Sequence, residues 1–322
     1  MNLVHRVFLA LISLSLLGTT SLAQTETESA PAATQATAVA HSFIGFGKAN
    51  GIVIVNEAGE TEWQMPLPAS DGWVLESGNI LAAIYPCKQF PQGGVAEIKR
   101  ATKEIVWEYQ GQQKEISTVQ PIADNEYLVA ELGPTPQAIV IDRSGKVLRK
   151  MKFACQSANA HMQTRMLRQL PNGNYIAPHL LDFAVKEYEP STGKVIRSFP
   201  TDDRGRDKRD WPFTAIRLDN GNTVIGCTNG NRVIEIDANG KIVWSVDNDD
   251  LGEPLLDDAC GVQRLANGNT VITSYHAKGN NVKLTEVDRN KKVVWRFDGL
   301  KSGLHHFQIL TTNGKPATST LK

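Results

Sequence analysis

A short motif returns along this chain at almost constant spacing, and that period decides what the chain can fold into. Its clearest copies are Arg168-Gln-Leu-Pro-Asn-Gly-Asn-Tyr-Ile-Ala177, Arg217-Leu-Asp-Asn-Gly-Asn-Thr-Val-Ile225 and Arg264-Leu-Ala-Asn-Gly-Asn-Thr-Val-Ile272. Weaker copies stand at Leu75-Glu-Ser-Gly-Asn-Ile-Leu81, Ile122-Ala-Asp-Asn-Glu-Tyr-Leu128 and Leu310-Thr-Thr-Asn-Gly314. The turn positions Gly78, Asp124, Gly173, Gly221, Gly268 and Gly314 lie 46, 49, 48, 47 and 46 residues apart. Asn-Gly supplies positive φ angles, so each motif predicts a hairpin closed by a two-residue turn.

A second element follows each of the first five turns, at 95–107, 138–147, 185–199, 233–244 and 284–295, and a sixth copy without a preceding turn occupies 52–63. Each alternates apolar and polar residues, is rich in β-branched side chains and breaks once at a turn, the pattern of two more strands. Four strands repeating every 46–49 residues are the period of propeller blades. The expected fold is therefore all-β: a six-bladed β-propeller of four-stranded blades. The C-terminal repeat offers an inner strand with no outer pair, and the N-terminal end of the repeat region offers three strands with no inner one. Joining them closes the ring and removes exposed sheet edges. Trp63, Trp107, Trp244 and Trp295 share one repeat column, with Arg149 and Arg197 in the other two repeats, and read as packing between blades.

The N-terminus carries a different signal. A basic start, an apolar run over 7–18 and Ser21-Leu22-Ala23 before Gln24 have the zones of a secretory signal peptide, predicting export to the periplasm or the extracellular space after removal of 1–23. The run is too short to span a membrane. Residues 24–41 are mostly small and polar and read as a disordered linker, leaving 42–322 for the propeller. With 34 basic and 34 acidic residues the chain has no field to draw nucleic acid or an anionic surface. The expectation is an exported monomer with a small molecule, glycan or protein as partner, and neither nucleic acid nor a membrane span.

Strand order separates two faces. The hairpin turns fall on one; the starts of first strands and the ends of second strands gather on the other, around the mouth of the central channel. All four cysteines and five of the six histidines after residue 24 fall on the second face. Arg165, Phe213, Cys260 and His306 each lie eight residues before their repeat's turn position and share a column there. The candidate ligand-binding residues are His161, His179, His276, Trp211, Phe213, Asp257 and Asp258. Cys227 and Cys260, in neighbouring repeats, are candidates for a disulfide. No Cys-x-x-Cys or His-x-His spacing marks a metal site, and none is expected. The charged run 201–210 reads as a solvated insertion before the repeat of Gly221.

Two families share features of this repeat. Glu187-Tyr-Glu-Pro-Ser-Thr-Gly-Lys194 and Glu235-Ile-Asp-Ala-Asn-Gly-Lys-Ile-Val-Trp244 resemble the tryptophan-docking repeat of the pyrroloquinoline quinone (PQQ) dehydrogenases. Those enzymes place a vicinal cysteine pair against the quinone. No two cysteines are adjacent here, so PQQ is not expected, nor any other cofactor. Leu304-His305-His306-Phe307, and Ala160-His161-Met-Gln-Thr-Arg165 before the Gly173 turn, are similar to segments of bacterial arylsulfotransferase propellers. That resemblance implies a transferase or hydrolase in which His305 or His306 is nucleophile or base and Arg165 holds an anion. The repeat itself, whose matching residues are turns and packing aromatics, leads first to a binding module and to the enzyme only as an alternative.

Overall fold

The hairpins and their outer strands assemble into six sheets in the computed structural model, which describes residues 38–318 and 321–322. Blade 1 spans 69–110, blade 2 115–152, blade 3 168–200, blade 4 210–247 and blade 5 259–297, each an antiparallel four-stranded sheet in chain order. In the sixth sheet, His306–Thr312 is followed across the blade by His41–Gly47, Gly51–Val55 and Thr61–Met65. The ring closes through the pairing of His41–Gly47 with His306–Thr312, which joins the two ends of the domain as expected. The call of a signal peptide over 1–23 lies outside the described residues; of 24–41 only 38–41 is described, and His41 already opens a strand.

The turns differ from the expected two-residue form. At Gly173, Gly221 and Gly268 only the glycine has positive φ (86° in each). Leu170, Leu218 and Leu265 accept from the glycine N–H and donate to the following Asn carbonyl, giving a three-residue loop that ends in a left-handed glycine. The first Asn of each loop instead caps it: Asn172, Asn220 and Asn267 accept from the N–H two residues on at 2.9–3.0 Å. A two-residue turn occurs at Asn313-Gly314, where both φ angles are positive and the strand folds back on Lys315–Pro316.

Apolar side chains alternate along the strands and meet those of the next blade, so the core is a ring of inter-blade layers such as Leu81, Val95, Val119 and Val129 between blades 1 and 2. The tryptophan column is the inter-blade packing expected of it. Trp63 donates its indole N–H to the Arg100 carbonyl at 2.8 Å, Trp107 to Arg143 at 2.7 Å and Trp244 to Arg289 at 3.0 Å, each in the next blade. A buried glutamate column reinforces these joints. Glu97, Glu187 and Glu235 each accept from a turn Asn of their own blade and from an arginine of the next: Arg143, Arg217, and Arg264 with Arg289. Glu286 does the same with Asn269 and with His41 of the closing sheet, at 2.8 Å. The run 201–210 is tied down rather than merely solvated: Arg204 grips Asp210 through two nitrogens and Arg232 meets Asp203.

Candidate functional site

Polar side chains converge at the channel mouth on the face away from the turns, around a cavity of about 160 Å³. His161, Arg165, Trp211, Phe213, Asp258, Cys260, His276 and His305 line it, so the strand-order argument brings most of the predicted residues together. Each comes from a first-strand start or a connecting loop. His161 sits in a single 3-10 turn, Ala160–Met162, capped by Asn159. Gly261 lets the last strand approach: a Cβ there would stand 2.8 Å from the His305 carbonyl oxygen and 3.0 Å from His306 Cα.

His305 is the centre of the arrangement. Its ring stacks on Tyr275 with centroids 3.7 Å apart and lies nearly parallel to Phe213 at 5.7 Å. The Tyr85 hydroxyl is 3.3 Å from both ring nitrogens. Burial, then the positive charge of Arg165, push the His305 pKa well below its ordinary value, so the imidazole is neutral. Burial likewise pushes the Tyr85 hydroxyl and the Cys260 thiol well above theirs, and both stay protonated.

Arg165 is wholly buried, and its charge is already matched. One terminal nitrogen donates to Glu115 at 2.6 Å and the other to the His161 carbonyl. Burial raises the Glu115 pKa, but Arg165 and a hydrogen bond with His161 outweigh it and hold the carboxyl down at about 2. The pair is thus ionised, with net charge near zero. Among the described residues, two N–H donors at the cavity have no acceptor: Arg165 Nε and Trp211 Nε1. On the rim, half-exposed His161 and His276 each face a mostly buried carboxylate, Glu115 at 3.1 Å and Asp258 at 3.4 Å.

Several predicted residues stand elsewhere. His306 follows His305 on the strand and therefore points the other way, towards Asp71 of blade 1; its Nδ1 is 4.0 Å from the Asp71 carboxylate and its buried Nε2 has no partner. The two rings therefore face different parts of the channel. His179 is buried in blade 3, held by the Tyr188 hydroxyl at 2.7 Å and the Gln163 carbonyl at 3.1 Å. Asp257 contributes its main chain, accepting from the His276 N–H at 3.1 Å, and does not line the cavity. The expected Cys227–Cys260 disulfide is absent, and both thiols are free. Cys227 packs towards blade 3 among Leu170, Ile176 and Val185, whereas Cys260 faces the mouth beside Met166 and Phe213. Among the described residues, no three His, Cys, Asp or Glu side chains are grouped as a metal ion would need.

Glu115, Tyr85 and Tyr275 are the residues of this candidate site that sequence reasoning misses. Two of the three carry a signal. Tyr85, Leu180, Thr228 and Tyr275 each lie seven residues after their repeat's turn glycine, and the last three line the cavity.

No protein-family model matches the chain, and no curated protein matches it either. Solved structures do. A protein of unknown function from Bacteroides caccae is 24% identical over 83% of this chain and 98% of its own, with a TM-score of 0.71. A catalytically inactive virginiamycin B lyase from Staphylococcus aureus, determined with quinupristin, is 12% identical over 84% of this chain and 92% of its own, with a TM-score of 0.57. A streptogramin B lyase is 11% identical, covers 80% and 83%, and gives 0.55. At these identities the likeness shows the six-bladed propeller fold alone.

Proposed function

We propose that this chain is an exported binding propeller that takes a small, flat molecule with hydrogen-bond acceptors into its histidine-bearing mouth. The observation that carries the reading is the pairing of stacked rings with two buried donors that lack acceptors, Arg165 Nε and Trp211 Nε1. A buried donor without an acceptor costs roughly 1–3 kcal/mol. A ligand oxygen that satisfied either donor while its ring lay against Tyr275, Phe213 or Trp211 would recover that cost. Calorimetric titration with aromatic carboxylates, aryl sulfates and monosaccharides tests the reading. An aromatic acceptor should bind, and Trp211→Phe, which keeps a ring but loses the N–H, should weaken it about tenfold. Equal binding by Trp211→Phe and His305→Leu, or heat only with monosaccharides, overturns it.

A second reading, an arylsulfotransferase-like transferase, draws support from one feature: the neutral imidazole of His305 keeps a lone pair beside Arg165. The commitment of both terminal nitrogens of Arg165 to Glu115 and the His161 carbonyl opposes it, because the guanidinium edge that would hold sulfuryl oxygens is already occupied. Release of nitrophenol from nitrophenyl sulfate, lost in His305→Ala and kept in His306→Ala, would establish this reading in place of the first.

A further inference from the structure

The opposite mouth of the channel, on the side of the turns, holds a larger cavity of about 820 Å³, and the pair Leu321–Lys322 lies in it. Lysine is among the side chains least often fully buried. Yet Lys322 is 2% exposed, and its ammonium nitrogen donates to the Gly72 carbonyl at 2.7 Å and stands 3.4 Å from Asp71. It lies 4.0 Å from the centroid of the Trp73 ring and 5.9 Å from that of Phe46, within cation–π range of both. The main chain is read as well. Arg264 N–H donates to the Leu321 carbonyl at 3.1 Å, and Arg168 Nε to the Lys322 carbonyl at 3.0 Å. These partners come from the closing blade and blades 1, 3 and 5, all far from residue 322 in sequence.

We propose that this mouth is a recognition site for a lysine carried on an extended peptide segment, filled here in cis by Leu321–Lys322 and exchangeable with such a segment in trans. Three features point to recognition rather than mere packing. The contacts read both the main chain and the side chain of the dipeptide: two main-chain oxygens accept hydrogen bonds, and the ammonium donates one and lies over an aromatic face. The cavity also continues past the pair, over Pro121, Leu170 and Leu218 with Gln120, Gln169 and Asp219 among its polar lining, and so leaves room for more chain. Finally, Lys322 shares its carboxylate with Arg168. Arg168 already engages both carboxylate oxygens of Asp71, so the Lys322 ammonium reaches that carboxylate only at 3.4 Å, and burial pushes its pKa down to about 7. A segment held at that cost is one that can leave.

The site is independent of the histidine mouth, and its test uses the full chain. Acetylation with an N-hydroxysuccinimide ester, followed by peptide mapping, should modify Lys322 at least tenfold more slowly than the exposed Lys241 and Lys292. An excess of the peptide Ala-Thr-Ser-Thr-Leu-Lys, acetylated at its α-amine, should then raise the Lys322 rate, and the same peptide with norleucine for lysine should not. A fluorescent form of the peptide should bind Lys322→Ala at least tenfold more tightly than the unaltered chain. Rapid modification of Lys322 at the outset, no rise with the peptide, or an equal rise with the norleucine version overturns the proposal. The first three measurements need no variant, so a poorly folding Lys322→Ala leaves it fully testable.

Discussion

Asp71 and Arg168 meet in the channel through two parallel hydrogen bonds, of 2.9 and 3.0 Å, both side chains being buried. They belong to blades 1 and 3, so the pair ties the ring across its centre. The Asp71 carboxylate also accepts from the Thr118 hydroxyl at 2.7 Å. Burial opposes its charge, but Arg168 and Lys322 outweigh burial and hold the carboxyl far below the usual carboxylate range. Replacing Asp71 with Asn removes the carboxylate that pairs with two buried cations, which should cost about 3–5 kcal/mol in urea unfolding. A loss under about 1 kcal/mol would mean that water or another anion reaches the pair.

The joints between blades make a separate prediction. Trp244 is 9% exposed, donates to the Arg289 carbonyl and lies under the guanidinium groups of Arg289 and Arg264, at 4.9 and 5.8 Å. Trp244→Phe keeps most of the packing and loses one hydrogen bond, about 1 kcal/mol. Trp244→Ala also opens a cavity between blades 4 and 5 and should cost about 3–5 kcal/mol. Thermal melts of both variants check the order; equal, small losses would show that the column carries no inter-blade energy.

The ring is legible in the sequence because the blades repeat one local chemistry: a glycine where φ must be positive in five of six turns, alternating strands, and an indole at four of six joints. The mouth is legible in part. Arg165, Phe213 and Cys260 reach it from one column, since first strands enter the channel at equivalent points. His306 shares that column but lies at the closure, where the strand pairs with the N-terminal one, and its neighbour His305 faces the cavity instead. Tyr85 and Tyr275 escape notice because they are neither ionised nor metal-binding at neutral pH, although their column repeats. Lys322 lies beyond the last repeat, where no period places it, and its partners are assembled only by ring closure.

Buried neutral histidines predict how stability depends on pH. Burial holds His305 and His306 well below their ordinary pKa, and His179 at about 4. The unfolded chain therefore binds protons at these three groups below about pH 6.5 that the folded chain does not, and stability falls as the pH falls. With all three contributing, the loss approaches about 4 kcal/mol per pH unit near pH 5.5, and the His179 share ends near pH 4. The slope fades to about 1 kcal/mol per pH unit at pH 7 and is nearly gone by about pH 8. Urea midpoints between pH 5 and 7.5 measure this; His306→Gln should reduce the slope by about a third. A flat profile would mean that the rings are charged in the fold.

Thiol chemistry distinguishes the free cysteines from the bridge that their spacing invites. Cys227 and Cys260 are buried, and burial pushes both thiols well above their ordinary pKa, so neither offers a thiolate. Cys155 is half-buried and pushed up to about 11 by burial and by Asp182. Ellman's reagent at pH 8 should therefore leave Cys227 and Cys260 unmodified in the native protein and modify Cys155 slowly. In guanidinium chloride, with no reductant, all four should react. Two reactive thiols under those conditions, with an intact mass about 2 Da low, would show that two of the four cysteines pair; peptide mapping to Cys227 and Cys260 would require Cys227 to turn out of its packing against Leu170 and Val185.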